Sequence, residues 1–316
     1  MHGHQMILMV NSANAPDRID KPARMDESSP DPPFHETYKT LFNNLTDTTQ
    51  KNFPQFPVME EVELPLVDLN QLNLGDSERE SCKKQIARAS QEWGFFQVIN
   101  HGISREILEN MRREQVKLFK KPFQDKTNGK DLNFSAGSYR WGAPTATCLG
   151  QLSWSEAFHV SLSDILGSGG LNNLCSTMEQ YATTVSELAQ KLADILAEKI
   201  VLHQDHIGGL QLVKDGKWIA VKPNPEALVI NIGDLMQAWS NNIYKSVEHR
   251  VVANELKERF STAYFLCPSY DTVIQSCIQP SVYRRFSFGE YRKQVQEDVK
   301  SFGYKVGLPR FLVPSH

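Results

Sequence analysis

The sequence predicts a mainly β fold with an α-helical lobe, and three observations predict it. From Val201 onward, short apolar segments alternate with Gly, Pro and Asn turns, the pattern of a β-barrel or double sheet. Before residue 200 lie two long stretches with helical apolar spacing. A third helical stretch, with charges on one face, follows the β region near the end of the chain.

Residues 1 to about 60 are rich in Pro, Asp, Asn and Ser and read as a largely disordered leader, apart from a short helix near Tyr38 to Phe42. Leu64 to Leu69 is a short strand, Glu78 to Trp93 a helix, and Gly94 to Ile99 an aromatic, β-branched strand. Ser104 has the chemistry of an N-cap for a helix that runs through Met111 and Phe119 to Pro122. Strand and loop fill Ser135 to Val160, and Thr177 to Ile200 is the second long amphipathic helix. The β region then reads as Leu210 to Val213, a Lys214-Asp215-Gly216-Lys217 turn, Trp218 to Lys222 and Ala227 to Ile232. Phe288 to Ser301 is the last helix. The expected divisions are a leader over residues 1–60, an N-terminal lobe over 61–165, a helical connection over 166–200, a β core over 201–280, and a C-terminal helix and tail over 281–316.

With 316 residues, 40% hydrophobic and 22% charged, the composition is that of a soluble catalytic or binding domain. A net charge of −3 gives no reason to expect nucleic acid or an anionic membrane as partner. The five cysteines are odd in number, widely spaced and without a Cys-x-x-Cys pair, which argues against a disulfide framework and for a reducing compartment, cytoplasm or nucleus. The apolar run in MHGHQMILMV is too short for a signal-peptide core, and His2 and His4 read as part of a solvated tail.

The residues that carry chemistry cluster late in the chain. His249, near the end of a strand, suits a divalent metal, and Arg259 with Ser261 two residues on forms a fork for a carboxylate. A core histidine and a structural ion-pair partner are the bland alternatives for His249 and Arg259. A non-haem iron centre needs a second histidine and a carboxylate, and the one His-x-Asp in the chain is His203-Gln204-Asp205. Tyr139, Arg140, Trp141, Glu156 and His159 are unusual for plain core and suit either a small-molecule site or a structural polar network. Asp234 and Glu248 are assigned to hydrogen bonding, and no catalytic acid or base is expected beyond the metal centre.

LPLVDL at 64–69, EWGFFQVINHGIS at 92–104, and NIGDLMQAWSNNIYKSVEHRVV followed by ERFSTAYF up to Phe265 together resemble the plant 2-oxoglutarate and Fe(II)-dependent dioxygenases. Ser138-Tyr139-Arg140-Trp141-Gly142, Trp154 to His159 and the ending Tyr304 to Phe311 narrow the resemblance to the gibberellin 2-oxidases that accept twenty-carbon gibberellins. The resemblance implies a double-stranded β-helix (jelly-roll) core, Fe(II) held by two histidines and an aspartate, and 2-oxoglutarate gripped by Arg259 and Ser261. His249 would be the distal metal histidine. It further implies 2β-hydroxylation that inactivates a gibberellin, coupled to conversion of 2-oxoglutarate into succinate and carbon dioxide, with ascorbate as an activator. Tyr139, Arg140, Trp141, Glu156 and His159 would then meet the substrate.

One departure from that family stands out. In relatives the helix ending LAEK is followed by several tens of residues that hold an Asn-x-Tyr strand and a His-Thr-Asp metal motif. Here Leu196-Ala197-Glu198-Lys199 passes straight into Ile200-Val201-Leu202-His203-Gln204-Asp205. The β core is therefore expected to be incomplete at its start, and His203 and Asp205 match the metal motif by letter and not by place. A shift of about ten strand residues moves a ligand roughly 30 Å. Loss of strands also exposes sheet edges, so poor folding or pairing with a partner is expected. Two functions follow: a gibberellin 2-oxidase impaired in this chain, or a non-catalytic product of a skipped exon or mistaken gene model that binds ligand or partner without turnover.

Overall fold

The computed structural model describes residues 4–11, 28–43, 60–129, 134–143, 146, 152–170, 172–196, 200–204, 207–254 and 257–314. Its strands are β1 (Gln5–Asn11), β2 (Glu61–Val62), β3 (Leu66–Asp68), β4 (Phe95–Ile99), β5 (Tyr139–Trp141), β6 (Ser155–Ser161), β7 (Ile200–Gln204), β8 (Leu210–Lys214), β9 (Lys217–Val221), β10 (Leu228–Ile232), β11 (His249–Val251), β12 (Arg259–Phe265), β13 (Val273–Ile274) and β14 (Phe286–Ser287). The helices are α1 (Phe34–Asn43), α2 (Asp76–Glu92), α3 (Arg105–Phe119), α4 (Phe123–Asn128), α5 (Leu162–Gly167), α6 (Asn173–Leu196), α7 (Asp234–Trp239) and α8 (Phe288–Phe302).

Two sheets carry the architecture. The larger has eight strands in the order β3-β4-β10-β7-β12-β1-β6-β5, and the smaller has four in the order β11-β8-β9-β2. Alternation along the central strands builds one core on each face of the larger sheet. Phe96 and Val98 of β4, with Leu228, Ile230 and Ile232 of β10, pack with buried residues of α2, α3 and α6. Phe95 and Val229, one position away, pack instead with Leu210, Leu212, Ile219 and Val221 of the smaller sheet. A third cluster, including Phe286, Phe288, Tyr291 and Phe311, seats α8. The result is an incomplete double-stranded β-helix with a helical lobe on one face and a C-terminal helix, the fold class that the sequence predicts.

Local chemistry explains the element ends. The Ser104 hydroxyl accepts from the Ile107 amide at 3.2 Å and starts α3. The Asn172 side chain accepts from the Cys175 amide at 2.9 Å, which starts α6 several residues before the predicted Thr177. Gly94 has φ +65°, and a Cβ there would lie 2.3 Å from the Lys245 carbonyl oxygen, so the turn into β4 requires glycine.

The leader expected over residues 1–60 needs correction. Residues 5–11 form a strand inside the larger sheet, with Met6, Leu8 and Val10 buried in the main core. The continuous run from Met6 to Val10 has the signature of a strand covered on both faces. The same run is too short to be a signal-peptide core or a membrane span. His4 likewise is no part of a solvated tail, since its Nδ1 lies 2.7 Å from the Tyr264 hydroxyl. β1 pairs with β12 along all of its length and so covers that side of β12.

Candidate functional site

β11 is the outer strand of the smaller sheet and pairs on one side with β8, His249 facing Leu212 in the register. This edge position leaves the His249 side chain exposed, with the Phe95 ring 5.1 Å away at a steep angle. Its Nδ1 lies 2.9 Å from the Val247 carbonyl oxygen, which can only accept. The proton therefore sits on Nδ1 and leaves Nε2 as the ligating nitrogen. Desolvation by the packed groups behind it lowers the imidazole pKa, and Lys305 adds to that effect against the pull of the Val247 carbonyl.

His249 opens onto a cavity of about 720 Å³ between β10, α7, β12 and α8. Leu235, Phe265, Phe288 and Val295 give it apolar walls, and Arg140, Arg292, Lys300 and Lys305 surround it with positive charge against the single carboxylate of Asp234. Asp234 is already engaged: its oxygens accept from Ser246 Oγ at 2.6 Å and Tyr291 OH at 2.5 Å, and Lys305 Nζ lies 3.1 Å away. Burial works against this carboxylate, but Lys305 and the two hydroxyl donors outweigh it and hold its pKa below the usual range. Gly307, at φ +76°, lets the C-terminal segment pass this site, for a Cβ there would lie 2.9 Å from Asp234 Oδ2. Asn231 also lines the cavity, and its buried Oδ1 has no hydrogen-bond partner.

The Arg259–Ser261 pair lies on β12 of the larger sheet. Arg259 is 3% exposed, its Nε donates to the Gly208 carbonyl at 2.8 Å, and its Nη1 donates to Ser261 Oγ at 2.9 Å. The fork is thus assembled, but neither residue lines the cavity that holds His249.

The five proposed substrate residues separate for a geometric reason. Along β5 and β6, alternate residues point to opposite faces. Tyr139 and Trp141 are in register with Phe158 and Glu156, and Arg140 is in register with Ala157. Tyr139 and Glu156 join a buried polar network on the helical side: Tyr139 OH donates to Glu156 Oε2 at 2.5 Å, and Lys126 Nζ pairs with the same oxygen. Burial pushes the Glu156 carboxyl up while Lys126 pulls it back, and burial also raises the Tyr139 hydroxyl. Trp141 packs edge-on against Phe34 and Phe123 with ring centroids 5.2 and 5.7 Å away. Arg140 alone of the five lines the cavity.

His159 lies near the cavity cations, and burial, then repulsion from Arg140 and Arg292, lowers its pKa to about 4. An unfolded histidine titrates near 6.5, so the unfolded chain takes up the proton first as pH falls. The contribution of neutral His159 is complete above about pH 6.5 and is lost as pH falls from there to about 4. Urea unfolding at pH 7 and 4.5 should show about 2 kcal/mol less pH-dependent loss in His159→Asn than in the parent. Equal losses in both proteins would refute this assignment.

His203 lies on β7, paired with Val229 and Ala263 inside the larger sheet, whereas His249 lies on the smaller. The β7 side chains and all of Asp205 lie outside the described residues. Among the described residues there is no group of three or more His, Cys, Asp or Glu side chains placed to hold a metal ion. The described donor set around His249 thus does not fit a three-ligand Fe(II) centre: among the described residues it offers one imidazole, and the carboxylate in the same cavity is held by Ser246, Tyr291 and Lys305. Sequence reasoning missed Asn231, Tyr291, Arg292 and Lys305 as cavity residues. The helix predicted over Phe288 to Ser301 holds Tyr291 and Arg292, and the Tyr304 to Phe311 ending holds Lys305.

The 2OG-Fe(II) oxygenase superfamily model matches residues 199–268, and the model described as non-haem dioxygenase in morphine synthesis, N-terminal, matches residues 64–170. Gibberellin 2-beta-dioxygenase 8 of Arabidopsis thaliana is 51% identical over 335 residues, covering 89% of this chain and 98% of the relative. Gibberellin 2-beta-dioxygenase 6 of Oryza sativa subsp. japonica is 44% identical over 345 residues, covering 89% and 96%. Both alignments are longer than the 316-residue chain, so each sets residues of the relative against gaps here. A crystal structure of JOX2 in complex with 2OG, Fe and JA superposes with a TM-score of 0.60 at 21% identity, covering 91% of this chain and 100% of that one, and shows the same fold. Fe(II) and 2-oxoglutarate are accordingly the metal and co-substrate of the family. From the fork on β12 to the relatives matched along nearly their whole length, the chain belongs to the 2OG-Fe(II) oxygenase superfamily, on the branch that holds these gibberellin 2-beta-dioxygenases.

Proposed function

We propose that this chain is a gibberellin 2-oxidase by descent, built for inactivating 2β-hydroxylation with O2 and 2-oxoglutarate, and that it retains ligand binding while its turnover is impaired. The observation that carries the reading is the contrast between a formed cavity and a metal centre reduced, among the described residues, to His249. Apolar walls ringed by Arg140, Arg292, Lys300 and Lys305 suit a compact, largely apolar carboxylic acid, the chemistry of a gibberellin. The unpartnered Asn231 Oδ1 suits a hydroxyl donor on the ligand. Ascorbate as activator and a cytoplasmic or nuclear location belong to the same proposal. So do a small-molecule partner and the absence of nucleic-acid or membrane partners. No helix among the described residues is long and apolar enough to cross a membrane.

Calorimetric titration with a twenty-carbon gibberellin tests the binding half. Saturable binding is expected, and Arg140→Ala with Lys305→Ala should weaken it at least about tenfold, the loss of one charge-assisted contact. No binding by the parent protein, or equal binding by the variant, would defeat the proposal. The turnover half is tested by product analysis with Fe(II), 2-oxoglutarate, ascorbate and O2. A rate in the ordinary enzyme range, about 1 per second or more, would show that the centre is intact.

A further inference from the structure

The strand at the extreme N-terminus occupies an unexpected position. β1 lies between β12 and β6, paired antiparallel with both along all seven of its residues, from Gln5 opposite Phe265 and Ser161 to Asn11 opposite Arg259 and Ser155. β6 and β12 are not paired with each other. Without β1 the larger sheet would divide there into two facing edges, each with unpaired amide and carbonyl groups.

The slot is shaped for the segment that fills it. On one face Met6, Leu8 and Val10 are 1%, 0% and 3% exposed, packed in the core that α3 and α6 cover. Gln115 of α3, itself 2% exposed, straps the strand in place: its Nε2 donates to the Met9 carbonyl at 3.0 Å and to the Ser261 carbonyl at 2.8 Å. The Gln115 Oε1 accepts from Thr262 Oγ1 at 3.2 Å, and the His4 carbonyl accepts from the Leu162 amide at 3.1 Å. On the other face Met9 and Asn11 stand opposite Ser261 and Arg259, so the strand also walls the carboxylate fork.

The filling segment lies outside both regions matched by the family models, 64–170 and 199–268. At the same time, only three residues separate the end of α6 at Leu196 from the start of β7 at Ile200. We propose that residues 5–11 act as an intramolecular donor strand. They occupy a slot that the rest of the scaffold leaves open, and the slot binds an extended peptide with apolar residues at alternate positions. This inference stands apart from iron binding and turnover.

Paired cysteines in the full-length chain test it. Directly opposed antiparallel residues have Cα atoms about 4.5–5.5 Å apart, within disulfide range, whereas a partner two residues out of register, about 7–8 Å away, lies beyond it. Ile7→Cys with Ala263→Cys, which are register partners, should form an intrachain disulfide on mild oxidation. Peptide mapping by mass spectrometry should show it forming at least about tenfold faster than the off-register pair Ile7→Cys with Phe265→Cys. Adding Leu8→Asp, which places a charge at a fully buried position, should remove that rate advantage. Equal rates for the two pairs, cross-links only between copies, or an advantage that survives Leu8→Asp would each overturn the proposal.

Discussion

Inserting between α6 and β7, where the family resemblance implies a missing metal-motif segment, several tens of residues from the 51% identical Arabidopsis relative is expected to raise gibberellin 2β-hydroxylation more than about a thousandfold. The expectation rests on ligand supply. His249 presents Nε2 from the edge of the smaller sheet, and no described residue joins it as a second and third ligand. A single imidazole does not hold Fe(II) tightly, whereas two histidines and a carboxylate form the facial set that leaves positions open for co-substrate and oxygen. The graft must also displace or coexist with β1, which fills the slot between β12 and β6. Steady-state product formation by parent and graft is the measurement, and equal rates would place the impairment elsewhere.

The second large effect lies in the helical lobe. Lys126 is 1% exposed and pairs with Glu156, 4% exposed, while its Nζ also donates to the Pro30 carbonyl at 2.6 Å and the Phe119 carbonyl at 3.1 Å. Lys126→Met leaves the Glu156 carboxyl buried without its cation and should destabilise the fold by about 3–5 kcal/mol. Lys126→Met with Glu156→Gln removes both charges and should recover a large part of that loss. Urea denaturation of the single and double variants measures both values. A single-variant cost below about 1 kcal/mol would mean that the pair is not a buried one.

The Ser104 cap, the β4 and β10 strands and the α8 helix were legible because a local pattern decides each of them. β1 was not, because a run from Met6 to Val10 declares apolar burial but not the partner that buries it, and its partners lie some 150 and 250 residues away in the chain. The site divided in the same way. The Arg259–Ser261 fork follows from i, i+2 geometry on one strand, and the structure assembles it at 2.9 Å. Tyr139, Arg140 and Trp141 are neighbours in sequence, yet strand alternation sends Arg140 to the cavity and the two aromatics to the helical lobe. Lys305 and Tyr291 reach Asp234 only through the packing of the C-terminal segment, which no local pattern encodes.

The central claim is that this scaffold keeps its cavity and its fork while, among the described residues, only His249 is left to hold iron. Anaerobic titration of the purified chain with Fe(II) in the presence of 2-oxoglutarate tests it most directly, through the weak visible charge-transfer band of the metal-bound co-substrate. The account predicts no band and no near-stoichiometric iron in the parent chain, with both present in the graft. A clear band with about one iron per parent chain, abolished by His203→Ala, would contradict it and would make residue 203 a working ligand.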